Sequence, residues 1–547
     1  MIRHMTYSRF IAGAICLTLI ALVSIGRAQS PALQPRSDAR FVYVSPERGD
    51  DANPGLHDAP VKTAERGLSL LRNGYGDWLL LERGYEYRLE NRVMLPRGAS
   101  ADTPVVIAAF GSGDTPQLHV GPNRDAFNYQ NLLADYITVA PTVQLTGLAD
   151  PFPILQPGNG WSGPTPQPNP VGKPGDLGYD AKAIARWDVV PYQTFDGDFH
   201  IGVVAFHMNG IDRVEFAVDG GPWTPVHEMQ LNPRTNVWEY TVTLRASLFK
   251  KDGPIEVRAI AWPKGAGEPR VLAGEVQDDL ISKDALPVGE HSIVLYTNAN
   301  QTYQSQTIYI AASGSDDNDG TRDKPVRTFA KALETVSHAG RIEIIEPGSY
   351  IFGTPSKHRV PKNNKRWITI EPSAGIDRDT IIIGQISGTP RPYVEYVRWR
   401  NVSFDCAAFG TYYEGIPWFD NCRFFDSTGW TNSNGPHPAR GAYYVTNCLA
   451  ENKLFAFSNG VTLLRGSTAT RISGDVIQNA KLVINCTFTD IDGTVLPHHT
   501  DIYQIFSRSD NVILYGIDVT NMTSVQAFMM ESYIGRDVPN ISGDFDP

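Results

Sequence analysis

In the last third of the chain the apolar positions fall into short pieces that share one frame: Trp399-Arg-Asn401-Val-Ser-Phe404, Phe419-Asp-Asn421-Cys-Arg-Phe424, Val445-Thr-Asn447-Cys-Leu449 and Val483-Ile-Asn485-Cys-Thr-Phe488. Leu514-Tyr-Gly516-Ile-Asp-Val519 fits it as well. Each piece places an apolar residue before Asn or Gly and two further apolar positions after it, two residues apart. Asn and Gly accept the left-handed backbone of a tight corner, and alternate side chains of a strand point to one face. The pattern therefore predicts one turn of a coil per piece, with the corner at Asn or Gly. The intervals between the Asn residues vary, so some turns must carry side loops. Cys422, Cys448 and Cys486 share one position of this frame. On strands stacked about 4.8 Å apart they would line up with parallel side chains, a geometry that disfavours bridging. They read as interior thiols acting as small hydrophobes.

A longer repeat organises the rest. Tyr43-Val-Ser-Pro-Glu-Arg-Gly-Asp-Asp-Ala-Asn-Pro-Gly, leading to Pro60-Val-Lys-Thr63, matches Tyr309-Ile-Ala-Ala-Ser-Gly-Ser-Asp-Asp-Asn-Asp-Gly, leading to Pro325-Val-Arg-Thr328. A helix-like stretch follows in both, from Ala64 and Phe329, then a buried-strand run from Trp78 and Ile342, then Gly84 or Gly348 closing a turn. The chain thus holds two copies of one unit. This opening resembles that of secreted right-handed parallel β-helix proteins of the pectate-lyase-like superfamily. In that family the short helix caps the open end of the solenoid, which otherwise exposes its core and a row of unpaired strand groups. The resemblance implies a short β-helix-like unit with its cap over residues 40–122 and a longer right-handed parallel β-helix over 305–547.

Between the copies the pattern changes. Residues 123–187 read as a connector, dense in Pro and Gly from Pro151 to Pro170. Over 188–290 alternation returns in Ile201 to Phe206, Val214 to Val218, Trp238 to Leu244 and Ile255 to Ala261, split by turns such as Asp219-Gly-Gly-Pro222. This predicts a β-sandwich of antiparallel strands that resembles bacterial immunoglobulin-like modules. The expected fold class is all-β.

Composition sharpens this picture at a few points. The 49 Gly and 39 Pro favour many turns over long helices. A net charge of −11 gains no counterion-release affinity for nucleic acid, so none is expected as a partner. A polyanionic sugar would need a local basic patch. Arg3 and Arg9, the apolar run Phe10 to Ile25 and the small residues around Ala28 read as a signal peptide over 1–28. That run is shorter than the roughly twenty residues of a spanning helix, and no later stretch approaches that length. A secreted protein, extracellular or periplasmic, is expected, with no membrane span.

The densest polar constellation runs from Asp490 through Asp492, His498, His499, Asp501 and Tyr503 to Gln504. A second cluster, His437 to Tyr444, precedes an earlier turn and contains Arg440 and Tyr443. Outward residues of stacked strands can meet one sugar of a polymer together. Arg440 could neutralise a uronate carboxylate while His499 or a Tyr removes the C5 proton, which suits β-elimination. Two carboxylates, Asp492 and Asp501, flanking a glycosidic oxygen would instead suit hydrolysis. His499, Asp501, Asp492 and Arg440 are thus the catalytic candidates, and His437, His498, Tyr443, Tyr503 and Gln504 the substrate-binding ones; the alternative is that His, Asp, Tyr and Gln at the start of a turn bond neighbouring turns and close a loop. Tyr412, Tyr413, Trp418, Trp430 and Tyr444 offer further rings on which sugars could stack, and some of the rings in this stretch are expected in the core instead. Ser315-Asp-Asp-Asn-Asp-Gly320 invites calcium through Asp317 and Asp319, but Val326 stands where a bidentate Glu would be needed. The alternative is that these side chains close turns before the helix.

The leading expectation is binding and cleavage of an extracellular polysaccharide containing uronic acid, by elimination. A glycoside hydrolase with paired Asp, or a non-catalytic adhesion protein, are the alternatives. The chain stops at Gly543-Asp-Phe-Asp-Pro547 with no capping segment in sight. Further sequence or a partner is therefore expected to cover that end of the solenoid.

Overall fold

The computed structural model describes residues 35–530, apart from 101–102, 124–125, 128, 141, 147–151, 161–164, 273–291, 338, 352–365, 385–392, 407–411, 428–436, 441–442, 454, 458–460, 496–499 and 506–510. The expected signal segment 1–28 and the C-terminal residues 531–547 lie outside the described residues. The described chain is all-β with three short α-helices, and most of its sheets are parallel.

In the C-terminal half, successive strands alternate between sheets, so each pass of the chain adds one strand to each. A ten-stranded sheet runs in order through Thr307–Ile310, Arg341–Ile344, Ile368–Pro372, Tyr393–Arg400, Tyr412–Asp420, Tyr443–Thr446, Val461–Arg465, Leu482–Ile484 and Ile513–Tyr515, with His437–Arg440 paired beside Tyr412–Asp420. An eight-stranded sheet takes Gly348–Ile351, Ile381–Gly384, Ser403–Asp405, Arg423–Phe425, Leu449–Lys453, Thr468–Ile472, Thr487–Asp492 and Asp518–Thr523. Ile477–Gln478, Asp501–Ile505 and Gln526–Met530 form a third sheet. One apolar core fills the space between them, with Ile310, Phe329, Ile370, Phe404, Phe424, Val445, Phe457, Phe488 and Tyr503 all buried.

The corners are the ones the apolar frame predicts. Asn401, Asn421, Asn447 and Asn485 have φ of 55°, 53°, 56° and 49°, and Gly466 and Gly516 continue the column at 59° and 63°. The column is held by side chains, since Asn421 Nδ2 donates to Asn401 Oδ1 at 2.7 Å. The two glycines are there for space as well as for φ. A Cβ on Gly466 would lie 2.8 Å from Asn447 Oδ1, and one on Gly516 2.4 Å from Asn485 Oδ1. Directly after the corner, Cys422, Cys448 and Cys486 point inward as free, buried thiols. The Cys422 N–H donates to Cys448 Sγ at 3.3 Å, and the Cys448 N–H to Ser467 Oγ at 3.1 Å. Burial pushes the Cys486 thiol up to about 12 and raises Cys448 as well.

The first copy repeats the plan in small. Phe41–Val44, Trp78–Glu82, Val105–Phe110 and Ile137–Val139 form a parallel four-stranded sheet, and Glu86–Arg88, Gln117–His119 and Gln144–Thr146 a parallel three-stranded one. The last-named strand of each sheet extends this unit past residue 122, where a connector was expected. Both are three residues long, too short for alternation to register in the sequence. In both copies an aspartate ties the opening loop to the helix cap. Asp51 accepts from the N–H groups of Lys62 and Thr63 and from the Thr63 hydroxyl, and Asp316 accepts from Arg327, Thr328 and the Thr328 hydroxyl in the same way. Thr63 and Thr328 then cap the helices Ala64–Leu70 and Phe329–Thr335. Asp319 is taken up by the N–H and hydroxyl of Thr321. The Asp-rich loop is built to close turns.

The segment between the copies forms two sheets with one core between them. A four-stranded antiparallel sheet contains Gln230–Asn232, Val237–Arg245, Asp198–Phe206 and Ile184–Trp187. The other contains Thr224–Val226, Ile211–Val218, Gly253–Pro263, Ile293–Thr297 and Thr194–Phe195, with Arg270–Val271 at its side. The strands begin at Ile184 and end at Thr297, slightly wider than the expected 188–290.

This middle unit lies against the outer face of the ten-stranded sheet. Val190, Tyr192, Val204, Val237, Val294 and Tyr296 pack with Trp367, Tyr396, Ile416, Trp418, Tyr444, Leu463, Leu482, Ile484 and Ile513 in one buried cluster. Hydrogen bonds fix the register: Trp367 Nε1 donates to Pro191 O at 2.7 Å, and the Asn511 amide makes a reciprocal pair with the Ala185 backbone, 2.9 Å each way.

Candidate functional site

The covered face decides where a ligand can go. Trp418 and Tyr444 were expected to offer stacking surfaces, yet both are buried under the middle unit, and Trp418 Nε1 donates to Thr446 Oγ1 at 2.9 Å. Along this sheet the strands carry apolar residues on both faces, which marks strands buried on both sides. That feature is present in the sequence from Leu482 to Ile484 and at Tyr443-Tyr444, the latter pair being the one the groove reading claims for sugar contact. Trp430 and the side chains of Tyr412 and Tyr413 lie outside the described residues.

Charged groups are buried in the same interface. Arg465 Nη1 donates to Asp188 Oδ1, and Asp188 is completely buried. Glu239 is also completely buried; its Oε1 accepts from Asn232 Nδ2 at 2.7 Å and from the Thr235 hydroxyl at 3.2 Å, while its Oε2 has no hydrogen-bond partner among the described residues. Burial raises the Glu239 carboxyl well above the ordinary range, and nearby Asp188 adds to this. Burial also raises Asp188, against the pull of Arg465, and lowers the Arg234 guanidinium to about 10. Alongside, burial pushes Asp420 upward, but the Arg398 guanidinium at 2.5 Å outweighs it and holds that carboxyl below its ordinary value. The cluster ties two parts of the chain together.

The residues singled out from sequence separate into several places. Tyr443 is fully buried in the interior, and Tyr503 lies in the same core with its hydroxyl on Ala480 O at 2.5 Å. Neither ring can meet a polymer, because alternation turns both of these positions inward. Gln504 and Asp501 are buried in the third sheet, where the Asp501 N–H donates to Asp475 Oδ1 at 3.0 Å. His498 and His499 lie outside the described residues. The backbone strand His437–Arg440 runs in the ten-stranded sheet, with Arg440 opposite Glu414, while its side chains lie outside the described residues. Arg440 and Asp501 therefore sit in different sheets.

Asp492, half-buried, is the least buried of the described candidates. It ends the strand Thr487–Asp492, and its Oδ1 accepts from the Thr494 hydroxyl at 2.6 Å and the Thr494 N–H at 2.9 Å. These two bonds hold its carboxyl below the ordinary aspartate value, so it is ionised at neutral pH. Gly493 backs directly onto the start of the third sheet: a Cβ there would lie 3.2 Å from Thr500 Cβ. Asp492 and Asp501 thus flank one close contact, the first half-buried and the second fully buried.

A polar column that sequence reasoning missed leads up to this edge. Asn452, Arg471, Asp490 and Asn521 sit at one level of four successive strands of the eight-stranded sheet, all left-handed, with φ of 54°, 54°, 57° and 53°. Arg471 donates to Asn452 Oδ1 and to Glu451, and Arg423 donates to Glu451 at 2.5 Å. Asp490 accepts from Asn521 Nδ2 and from Thr470 Oγ1, the latter at 3.2 Å. Each left-handed residue interrupts the ladder, skipping one position of the register, and so re-aims the side chains of the strand end. The signal in the sequence was Asn452, Asp490 and Asn521, each at the same offset beyond a corner, with Arg471 at that offset beyond Gly466. Among the described residues no group of three or more His, Cys, Asp and Glu is placed to hold a metal ion. No helix among them is long and apolar enough to cross a membrane.

No protein-family description matches the chain. A lacto-N-biosidase from Bifidobacterium longum subsp. longum is 29% identical to it over 115 residues, which are 21% of this chain and 7% of that protein. The uncharacterized protein YwoF of Bacillus subtilis is 39% identical over 62 residues, 11% of this chain and 13% of that protein. The chain thus spans a small part of these curated relatives. Among solved structures, a lacto-N-biosidase from Eubacterium ramulus is 10% identical with a TM-score of 0.15, covering 90% of this chain and 67% of that one.

Proposed function

We propose that this chain is an exported carbohydrate-active protein that hydrolyses a glycosidic bond at the edge formed by Asp492 and the segment leading to Asp501. The observation that carries this reading is the carboxylate of Asp492, half-buried at a strand end and held further toward its ionised form by Thr494. An ionised carboxylate beside a sugar ring can activate water or attack the anomeric carbon, and a second group must protonate the leaving oxygen. For that acid we take His499, which directly precedes Thr500 in the sequence and lies outside the described residues. Asp501, buried behind the contact, acts as a positioning residue. Asn452, Arg471, Asp490 and Asn521 form the polar track on which neighbouring sugars rest. The 115-residue likeness to a lacto-N-biosidase supports hydrolysis as the class of reaction.

Elimination is the weaker reading on this geometry. It needs a proton-abstracting Tyr or His beside an arginine that neutralises a uronate; Tyr443 and Tyr503 are committed to the core, while His499 and the Arg440 side chain lie outside the described residues. Each described arginine of the polar column already faces a carboxylate or amide.

As scaffold we propose a right-handed parallel β-helix in the C-terminal half and a shorter one near residue 40. Parallel crossover connections are right-handed in nearly all sheets. The antiparallel middle unit is read as an immunoglobulin-like module. Calcium has no assigned place in the scheme.

Purified protein incubated with neutral and uronic-acid polysaccharides tests the reading, with reducing ends and the absorbance of unsaturated ends measured together. Hydrolysis predicts new reducing ends without unsaturation. Unsaturated ends would establish elimination, and binding with no new ends of either kind would establish an adhesion protein.

A further inference from the structure

The two copies of the parallel unit present the same outward face with different chemistry at all but one of the compared positions, Tyr43 and Tyr309 being alike. In the second copy the outward positions of the first three strands are Thr307 and Tyr309, then Arg341 and Glu343, then Thr369 and Glu371. Arg341 pairs there with Glu371 at 2.9 Å and with Glu343 at 3.3 Å. In register, the first copy carries Phe41 and Tyr43, then Trp78 and Leu80, then Val106 and Ala108. The scaffold therefore accepts charge at these positions, and the apolar set in the first copy is not required by the fold.

What this face offers to solvent is mainly aromatic. Val106, Ala108 and Ala140 are covered, while Phe41 is 37% exposed and Tyr43, Trp78 and Phe110 are half-buried. The rings support one another: Phe41 lies 6.0 Å from Trp78, and Tyr43 stands edge-on to Phe110 and to His57, 5.1 Å from each. Hydrogen-bonding groups border the rings where Glu82 lies opposite Phe110. There Arg48 pairs with Glu82 at 2.8 Å, and the Tyr85 hydroxyl donates to Glu47. The apolar cluster on this face, Val106, Ala108 and Ala140 with Trp78 and Leu80 packed against them, is drawn from this unit alone, unlike the cluster between the middle unit and the ten-stranded sheet.

We propose that this face is a glycan-binding platform for a neutral pyranose chain, separate from the edge at Asp492. The C–H faces of pyranose rings stack on exposed aromatic rings, and fixed polar groups at the border bind hydroxyls. At this border Arg48 is already matched by Glu82, so the site offers little to attract a polyanion and selects neutral sugars. Contiguous apolar surface of this kind marks a binding site on a soluble protein.

The full chain is titrated calorimetrically with cellohexaose, xylohexaose and chitohexaose, with polygalacturonate as the anionic comparison. The expected result is saturable binding of at least one neutral oligosaccharide and none of the anionic polymer. The variant Phe41→Thr with Trp78→Arg, which installs the residue types the second copy already tolerates at those positions, should weaken that binding at least about tenfold. Arg341→Ala in the second copy should leave it unchanged. Failure of all three neutral probes to bind, or equal binding by the double variant, overturns the proposal. So does concentration-dependent self-association of the wild type that the double variant abolishes, which would assign the face to a second copy of the chain. Hydrolysis at the Asp492 edge can stand or fall independently of each of these outcomes.

Discussion

Replacing Arg465 by Met should loosen the middle unit from the parallel-sheet unit by a measurable amount. Arg465 is nearly buried and its guanidinium donates to Asp188 Oδ1 and, at 3.4 Å, to Asp188 O. Asp188 Oδ2 has no hydrogen-bond partner among the described residues. Removing the guanidinium therefore leaves a fully buried carboxylate whose main remaining counter-charge is Arg234. Breaking a buried pair from one side costs about 3–5 kcal/mol, whereas replacing both partners by neutral groups of similar volume is close to neutral. Arg465→Met alone should thus cost about 3–5 kcal/mol, and Arg465→Met with Asp188→Asn should recover most of that loss. A chain of several units does not unfold in one step, so the effect is read locally by hydrogen exchange. Amides of Ile184–Trp187 and Val461–Arg465 should lose protection in the single variant and regain it in the double. A single variant that costs less than about 1 kcal/mol, or a double variant whose cost equals the sum of the two singles, would refute the buried-pair account.

Other consequences follow from the same geometry. Glu239 has its carboxyl raised in the folded chain, so folding favours its protonated form, and its contribution to stability declines as pH rises above the ordinary carboxyl range. Glu239→Gln, whose amide can still bond Asn232 and Thr235, should flatten the fall in melting temperature between about pH 5 and 8; an unchanged slope would remove Glu239 as its source. Gly466→Ala should destabilise the corner column by about 1–2 kcal/mol, because the backbone there is left-handed and the new Cβ meets Asn447 Oδ1; a neutral result by thermal denaturation would contradict the column. Cys422, Cys448 and Cys486 should stay unreactive toward a thiol reagent in the native protein and react once it is denatured, since their thiols are buried and Cys486 is pushed up to about 12.

The corners were legible in the sequence because their requirement is local. Asn and Gly accept a left-handed corner most readily, and this leaves a mark at 401, 421, 447, 485 and 516. The helix caps were legible for the same reason, since Asp51 and Asp316 reach residues a short loop away. What covers each face was not legible. Trp418 and Tyr444 read equally well as sugar platforms or as interface, and only the placement of the middle unit distinguishes them. Asp188, Arg465 and Glu239 are far apart in sequence and carry no motif, so their convergence is purely tertiary. The column Asn452, Arg471, Asp490 and Asn521 escaped notice because its residue types differ, although its backbone does not.

The most direct test of the account compares reducing-end release by the wild type and Asp492→Asn on one neutral polysaccharide, at equal enzyme and with folding checked by the same hydrogen-exchange map. The account predicts that the variant remains folded and loses roughly 10²–10⁴ in rate, the range for removing a positioned catalytic group. Equal release by both proteins would contradict it.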